Sequence, residues 1–368
     1  MPAGTSQVPA KAPASPDLLA KFHAALHDLK NRDRKLVTVL HLGDSHVAGD
    51  YLSGAMRVAL QARYGNAGRG LIQVPAYKYF RVEGAKIALG GDWQLLNSRT
   101  DTSEQTYGLT GVATRSTKTG DTVSATSPGA KQIAFQYLNQ PNGGIIEVAY
   151  ASKVREVDTK GEVALKAQTV PGDTIKLSAK SDDRITILGI EFRTLAPGVM
   201  YQSLGIPSAT AQVIDHWNPA YCKAQLEQMN PSLVIFAFGV NEAFSESVDI
   251  DAWKVDVRKN IDALRKLTPH ASWVIAGPSD AQRDHGEGET CVAPWVTPSH
   301  LGVVRAHLSN IATDIGALFW DWQKEMGGPC SMPKWIEAGD GRGDHVHFTE
   351  AGYTKLGNML LNAILPKT

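Results

Sequence analysis

The stretch Leu36-Val37-Thr38-Val39-Leu40-His41-Leu42 is almost continuously apolar or β-branched, and it ends abruptly in Gly43-Asp44-Ser45-His46. Such a run reads as a strand buried on both faces, the habit of a parallel sheet. A helical pattern follows from about Leu52, with Ala55, Met56, Ala59 and Leu60 on one face. Strand, tight turn and helix are the unit of doubly wound α/β sheets. Those sheets bind ligands beyond the carboxyl ends of their strands, so Ser45 stands where a nucleophile can be held rigidly. Backbone N–H groups of the turn and of the following helix can point at developing negative charge. Gly, Asp and Ser are also common turn residues, so this stretch alone does not separate a nucleophile from a helix cap.

Two later stretches do. Leu233-Val234-Ile235-Phe236-Ala237-Phe238 is a second apolar strand ending in Gly239-Val240-Asn241-Glu242. Gly343-Asp344-His345-Val346-His347-Phe348-Thr349 precedes a C-terminal helical pattern. A serine, an amide donor and an Asp-x-x-His pair form the inventory of nucleophilic acyl transfer. Asp344 can accept the Nδ1–H of His347, fix its tautomer and stabilise the imidazolium as Ser45 loses its proton. His345, beside Asp344, is expected to point elsewhere. A tetrahedral intermediate needs N–H donors, here the Ser45 backbone, the Asn241 amide and one more backbone group. No third and fourth metal ligand stands at a recognisable spacing, and no cofactor is implied.

The rest of the chain divides by periodicity. Residues 1–14 are rich in Ala, Pro, Ser and Thr without the apolar core of a signal peptide, and read as a flexible leader. Ser15-Pro16-Asp17 reads as a helix start. Helices and strands alternate over 15–78 and 198–368, which reads as one α/β domain with a doubly wound parallel sheet. Between them, over 79–197, helical periodicity disappears and short alternating runs are separated by Gly, Asp, Asn and Pro. This reads as an inserted all-β sandwich. Jelly-roll-like sandwiches often carry sugar-binding faces; a purely structural spacer is the equal alternative. The cluster Gly65-Asn66-Ala67-Gly68-Arg69-Gly70 lacks a phosphate-loop ending and reads as a loop near the cleft. A long polar loop over 279–298 contains Trp295, and loops of that length are commonly functional.

Composition removes other classes. Lys plus Arg and Asp plus Glu are 37 each. With no basic run, neither nucleic acid nor a charged membrane surface is an expected partner. No apolar segment is long enough to span a bilayer. Cys222, Cys291 and Cys330 show no zinc spacing; one disulfide with a free thiol and three unpaired thiols both remain open.

The order Ser45, Asn241, Asp344-x-x-His347 resembles the SGNH (GDSL-type) hydrolases. Gly43-Asp44-Ser45-His46 with Gly49-Asp50, the inserted β region, Gly277-Pro278-Ser279-Asp280, and Phe319-Trp320-Asp321-Trp322 before Met326-Gly327-Gly328 resemble peptidoglycan O-acetylesterases and related O-acetyltransferases of bacterial envelopes. The likeness covers nearly all of the chain after residue 35. It implies a flavodoxin-like SGNH domain with a carbohydrate-binding-module-like insertion, and catalytic Ser45, Asp344 and His347. It implies an oxyanion hole of Ser45, Asn241 and a third backbone donor. The family's third donor is a glycine; Ser208 aligns there, with Gly205 three residues earlier as the alternative. The family's Asp after Asn is Glu242 here. Asp44, His46 and Trp295 are candidate substrate contacts. An acetylated polysaccharide partner, a glycan contact by the β region and a periplasmic or secreted location follow from the same likeness. Three functions stay open: a carbohydrate O-acetylesterase working through acyl-Ser45, an O-acetyltransferase with the same triad, and a glycan-binding scaffold with a vestigial site.

Overall fold

The computed structural model describes residues 17–75, 81–102 and 106–366. The expected leader, the Ser15 cap and the boundary at 78–79 lie outside the described residues. Six strands form one all-parallel sheet: β1 (Leu36–Gly43), β2 (Asn66–Gly68), β3 (Gly198–Gly205), β4 (Leu233–Ala237), β5 (Ser272–Ala276) and β6 (Leu318–Trp320). Their spatial order is β2-β3-β1-β4-β5-β6, so the apolar run around Val39 is central.

Side chains alternate across that sheet and feed two cores. Val37 and Val39 pack with Tyr201, Ile235 and Val274 against the helices Ala20–Asn31, Leu52–Tyr64 and Glu350–Ile364. Leu40 and Leu42 face the other way, with Phe236 and Ile275, against Pro219–Met229, Ile250–Leu267 and Leu301–Ile315. Helices on both faces make the sheet doubly wound. Among the described residues no helix is long and apolar enough to cross a membrane.

Residues 81–197 contain no helix among the described residues. They form two antiparallel sheets, one ordered Lys153–Asp158, Ile145–Tyr150, Thr174–Ala179, Thr122–Thr126, Lys86–Gly90. The other is built around Gln132–Asn139 and Ile185–Arg193. Val123, Val148 and Leu177 of the first share a core with Phe135, Ile187 and Phe192 of the second. The glycine cluster departs from expectation. It is not a cleft loop: Asn66–Gly68 joins the edge of the parallel sheet and Gly70–Ile72 pairs with Ile185–Arg193. At Gly68 a Cβ would lie 2.3 Å from the Phe192 carbonyl oxygen, so only glycine lets the two backbones approach so closely. The loop over 279–298 is also partly ordered, as a small sheet of Arg283–Asp284, Trp295–Val296 and Thr290–Val292.

A buried charge cluster joins the parallel domain to the antiparallel region. Asp50 is 3% exposed and accepts from Arg57 at 3.0 and 3.1 Å, from Arg69 at 3.0 Å and from the Glu83 N–H at 2.7 Å. Burial pushes the Asp50 carboxyl upward, but Arg69 and Arg57 outweigh it and hold it well below the usual carboxylate range. Removing one member strands the other charges in a dry site. Asp50→Asn should therefore destabilise the fold by about 3–5 kcal/mol at neutral pH. A depressed folded value makes this stability fully present above the ordinary 3.8 and progressively lost as pH falls below it. Urea midpoints of wild type and Asp50→Asn should be far apart at pH 7 and converge in acid; equal midpoints at pH 7 would remove the cluster from the stability account.

Candidate active site

Ser45 opens a short helix, Ser45–Ala48, at the end of β1. Asp44 caps it, accepting the His46 N–H at 2.9 Å. The turn fits between its neighbours because Gly43 lies level with Gly205 of β3 on one side and Ala237 of β4 on the other. A Cβ at Gly205 would lie 2.2 Å from the Ala48 nitrogen and 2.6 Å from the Asp44 carbonyl oxygen. The helix can be seated against β3 only where β3 has no side chain.

His347 reaches Ser45 from the loop before the last helix. Its Nε2 is 3.0 Å from Ser45 Oγ, and its Nδ1 is 2.9 Å from Asp344 Oδ2. An ionised carboxylate only accepts, so Nδ1 carries the proton and Nε2 accepts from the Ser45 hydroxyl. Asp344 Oδ1 accepts the N–H groups of Val346 at 3.0 Å and His347 at 2.8 Å. Partial burial raises the Asp344 carboxyl, but the hydrogen bonds from the His347 ring and backbone outweigh it and hold it well below the usual range. The loop is pinned by Arg342 N–H to the His347 carbonyl (2.8 Å) and Thr349 N–H to the Asp340 carbonyl (2.8 Å).

Three donors face the same end of the sheet. The Ser45 and Ser208 backbone N–H groups have no partner among the described residues. Ser208 has φ 57°, the left-handed conformation that glycine adopts most readily. Gly205 instead lies in β3, and its close approach to the Ser45 turn accounts for its identity. Asn241 is the second residue of the short helix Val240–Phe244 after β4; its Nδ2 donates to the Ala209 carbonyl at 2.9 Å and more weakly to Asp44 Oδ2 at 3.3 Å. Glu242 is fully buried and accepts the Ala211 N–H at 2.7 Å, tying the Asn241 turn to the segment after Ser208. Burial pushes Glu242 up. Burial also raises Asp44, to about 7, with Glu242 adding to the rise and the His46 N–H opposing it.

Two of the three expected substrate contacts, Asp44 and His46, are corrected by their burial. Asp44 is 1% exposed and His46 2%. Asp44 is a cap, and His46 is packed beneath the site with its Nδ1 2.8 Å from the Tyr353 hydroxyl. Their place next to Ser45 in sequence misled, because a helix that starts at Ser45 turns both neighbours inward. Trp295 lies flat on the His345 ring, centroids 3.6 Å apart and planes 10° apart. His345 turns away from Ser45, its Nδ1 2.8 Å from Gln282 Oε1. Gln282 and Tyr353 escaped the sequence reading; neither sits in a motif. Cys291 and Cys330 form a disulfide with Cα atoms 5.2 Å apart, and Cys222 is a free buried thiol pushed up to about 12 by burial.

No protein-family model and no curated protein matches the chain. A solved peptidoglycan O-acetylesterase is similar at TM-score 0.80 and 23% identity, over 94% of this chain and 95% of that one. A family two carbohydrate esterase from Cellvibrio japonicus is found at TM-score 0.32 and 11% identity, over 76% of this chain and 97% of that one, too low a score to bear on the fold. The first likeness shows the fold: the chain folds like that peptidoglycan O-acetylesterase.

The seat of the Ser45 turn can be tested directly. Gly205→Ala drives a methyl into backbone that cannot move aside, and should destabilise the protein by about 1–3 kcal/mol. Gly302→Ala, where an added Cβ meets nothing within 4 Å, is the control and should melt with wild type or slightly above it. A Gly205→Ala protein that melts like the control would show that the turn has room to spare.

Proposed function

We propose that this protein is a serine carbohydrate esterase that removes O-acetyl groups from an envelope polysaccharide through an acetyl-Ser45 intermediate. The observation that carries this reading is the unbroken hydrogen-bond chain Ser45 Oγ, His347, Asp344 at the carboxyl end of the central strand. The shared fold with a peptidoglycan O-acetylesterase supports the substrate class.

In this mechanism His347 Nε2 takes the Ser45 proton as Oγ attacks the acetyl carbonyl. The negative charge on the former carbonyl oxygen is met by the Ser45 and Ser208 N–H groups and by Asn241 Nδ2, whose weak bond to Asp44 is the one it exchanges. The imidazolium is stabilised by Asp344 and returns its proton to the departing sugar oxygen. Water, deprotonated by the same histidine, then releases acetate. The left-handed backbone at Ser208 supports it, rather than Gly205, as the third donor.

Residues 15–78 and 198–368 form the catalytic domain in this proposal, and 79–197 an inserted jelly-roll-like β-sandwich. That module takes one strand, Gly70–Ile72, from before its nominal start. A groove of about 610 Å³ on it, lined by Arg81, Lys86, Ile87, Ser124 and Thr126, is the candidate glycan contact. A periplasmic or secreted location is part of the reading, because a disulfide persists in oxidising compartments.

Acetate release from acetylated peptidoglycan and from acetylated exopolysaccharides, with and without an acceptor sugar, tests the reading; transfer to the acceptor would show as acetylated sugar in place of acetate. Ser45→Ala should abolish release while leaving the circular dichroism unchanged. Undiminished turnover in the folded variant would end the nucleophile assignment. Asn241→Ala should lower kcat roughly a hundredfold, as loss of one oxyanion donor does. A change confined to KM would make it a substrate-binding residue instead.

The acid–base pair makes a further prediction. Activity should fall in acid because His347 must be neutral to accept the serine proton; Asp344 stays ionised there, its carboxyl being held low, and adds no acid limb of its own. His347→Ala and Asp344→Asn should each be severely slow, and the double variant little slower than His347→Ala. Additive losses would show that the two side chains act separately.

A further inference from the structure

Asp344 can orient His347 only while its loop keeps one course, because both N–H groups that Asp344 Oδ1 accepts, from Val346 and His347, lie beyond His345. The chain turns at His345, whose φ of 58° lies in the left-handed region. A non-glycine residue stays there only where its surroundings over-determine it. Three contacts do so. The Gln282 N–H donates to the His345 carbonyl at 2.9 Å, the His345 ring pairs with Gln282 Oε1 at 2.8 Å, and the Trp295 indole covers the ring. Gln282 is fully buried, so it is a fixed partner. Burial lowers the pKa of His345, which favours the neutral ring that donates Nδ1–H to the Gln282 carbonyl oxygen.

Trp295 is the less secure of these supports. It belongs to a sheet whose three strands are two or three residues long, too small to be stable by itself. That sheet is tied down by the Cys291–Cys330 disulfide, which links the strand paired with Trp295 to the segment before the helix Met332–Glu337. The far end of the tie is itself anchored: buried Asp280 accepts the Cys330 N–H at 3.2 Å and the Met332 N–H at 2.9 Å. Both cysteines are half-buried, within reach of a small reductant.

We propose that His345 and Trp295 are positioning residues for the Asp344–His347 pair, and that the Cys291–Cys330 disulfide keeps Trp295 in place, so that turnover depends on the oxidised disulfide. This rests on the reading of Ser45, His347 and Asp344 as the catalytic triad. It assigns Trp295 a role other than substrate contact.

The experiment compares wild type, Trp295→Ala, Trp295→Phe and the Cys291→Ser/Cys330→Ser double variant on 4-nitrophenyl acetate, an ester without a glycan. Misplacing a catalytic group by about 1 Å costs on the order of a hundredfold. Trp295→Ala and the double variant should therefore lose roughly tenfold to a hundredfold in kcat with KM unchanged, and Trp295→Phe, which keeps a stacking ring, should recover most of it. Dithiothreitol applied to folded wild type, with reoxidation afterwards, should give the same loss and recovery without any substitution. Unchanged kcat in Trp295→Ala and in reduced wild type overturns the proposal, as does a loss that appears only in KM for an acetylated glycan. The low-field NMR resonance of the His347 Nδ1 proton is read in parallel, in wild type and in Ser45→Ala. It should shift or vanish with Trp295→Ala in both. If Ser45→Ala keeps turning over the ester, the nucleophile reading fails, and this resonance still decides the positioning claim.

Discussion

Everything at the carboxyl end of the sheet depends on how closely three strand ends approach. Gly43 sits level with Gly205 and Ala237, and a Cβ on Gly43 would lie 2.4 Å from Val47 Cγ2 and 2.6 Å from the Ala237 carbonyl oxygen. The strand ends therefore meet backbone to backbone, with the Ser45 helix lodged among them. In the proposed mechanism the strand ends bring the donors together: Ser45 follows β1, Ser208 follows β3 and Asn241 follows β4. On that proposal a rigid parallel register holds the donors in place, and preorganised donors need no rearrangement as charge develops.

Around this seat the loops are held by buried carboxylates, and their charges are handled in opposite ways. Asp50 faces two arginines and remains ionised well into acid. Asp44 and Glu242 form no ion pair with an arginine or lysine among the described residues and are pushed up by burial. The first arrangement is a strong clamp, since breaking a buried pair is expensive. The second disfavours negative charge near the place where an oxyanion is proposed to form. Full charge on both carboxylates there would oppose the chemistry that the N–H groups favour.

The central strands were legible because burial on both faces leaves an apolar run, and the main helices because one-sided burial leaves a 3.6-residue stripe. The residues Ser45, Asn241, Asp344 and His347 were legible because they stand just after strands or before the last helix, where chain topology brings them together. What escaped has a physical reason in each case. Two-residue and three-residue strands such as Arg283–Asp284 and Asn66–Gly68 are too short to show a period. The Cys291–Cys330 pairing depends on a Cα separation of 5.2 Å that no spacing reveals. Gln282 and Tyr353 act through contacts with residues far away in the chain. His46 looked exposed beside Ser45 because direction reverses within one helical turn, and its true environment is set by Trp322, Phe348 and Tyr353.

That environment bears on the base. The His46 and His347 rings are 5.3 Å apart. Two imidazolium ions at that separation repel, and the His46 ring, being buried, has little water to screen it. Only one of the rings can take a proton without that penalty, and burial decides which. His46, fully buried, is driven well below the ordinary histidine value, first by desolvation and then by His347. It stays neutral, held by the Tyr353 hydroxyl. His347 is the ring that carries the Asp344 carboxylate on its other nitrogen. In the proposed mechanism the charge that appears during attack therefore falls on the imidazole facing Ser45, and the neighbour beneath it supplies packing without a competing charge.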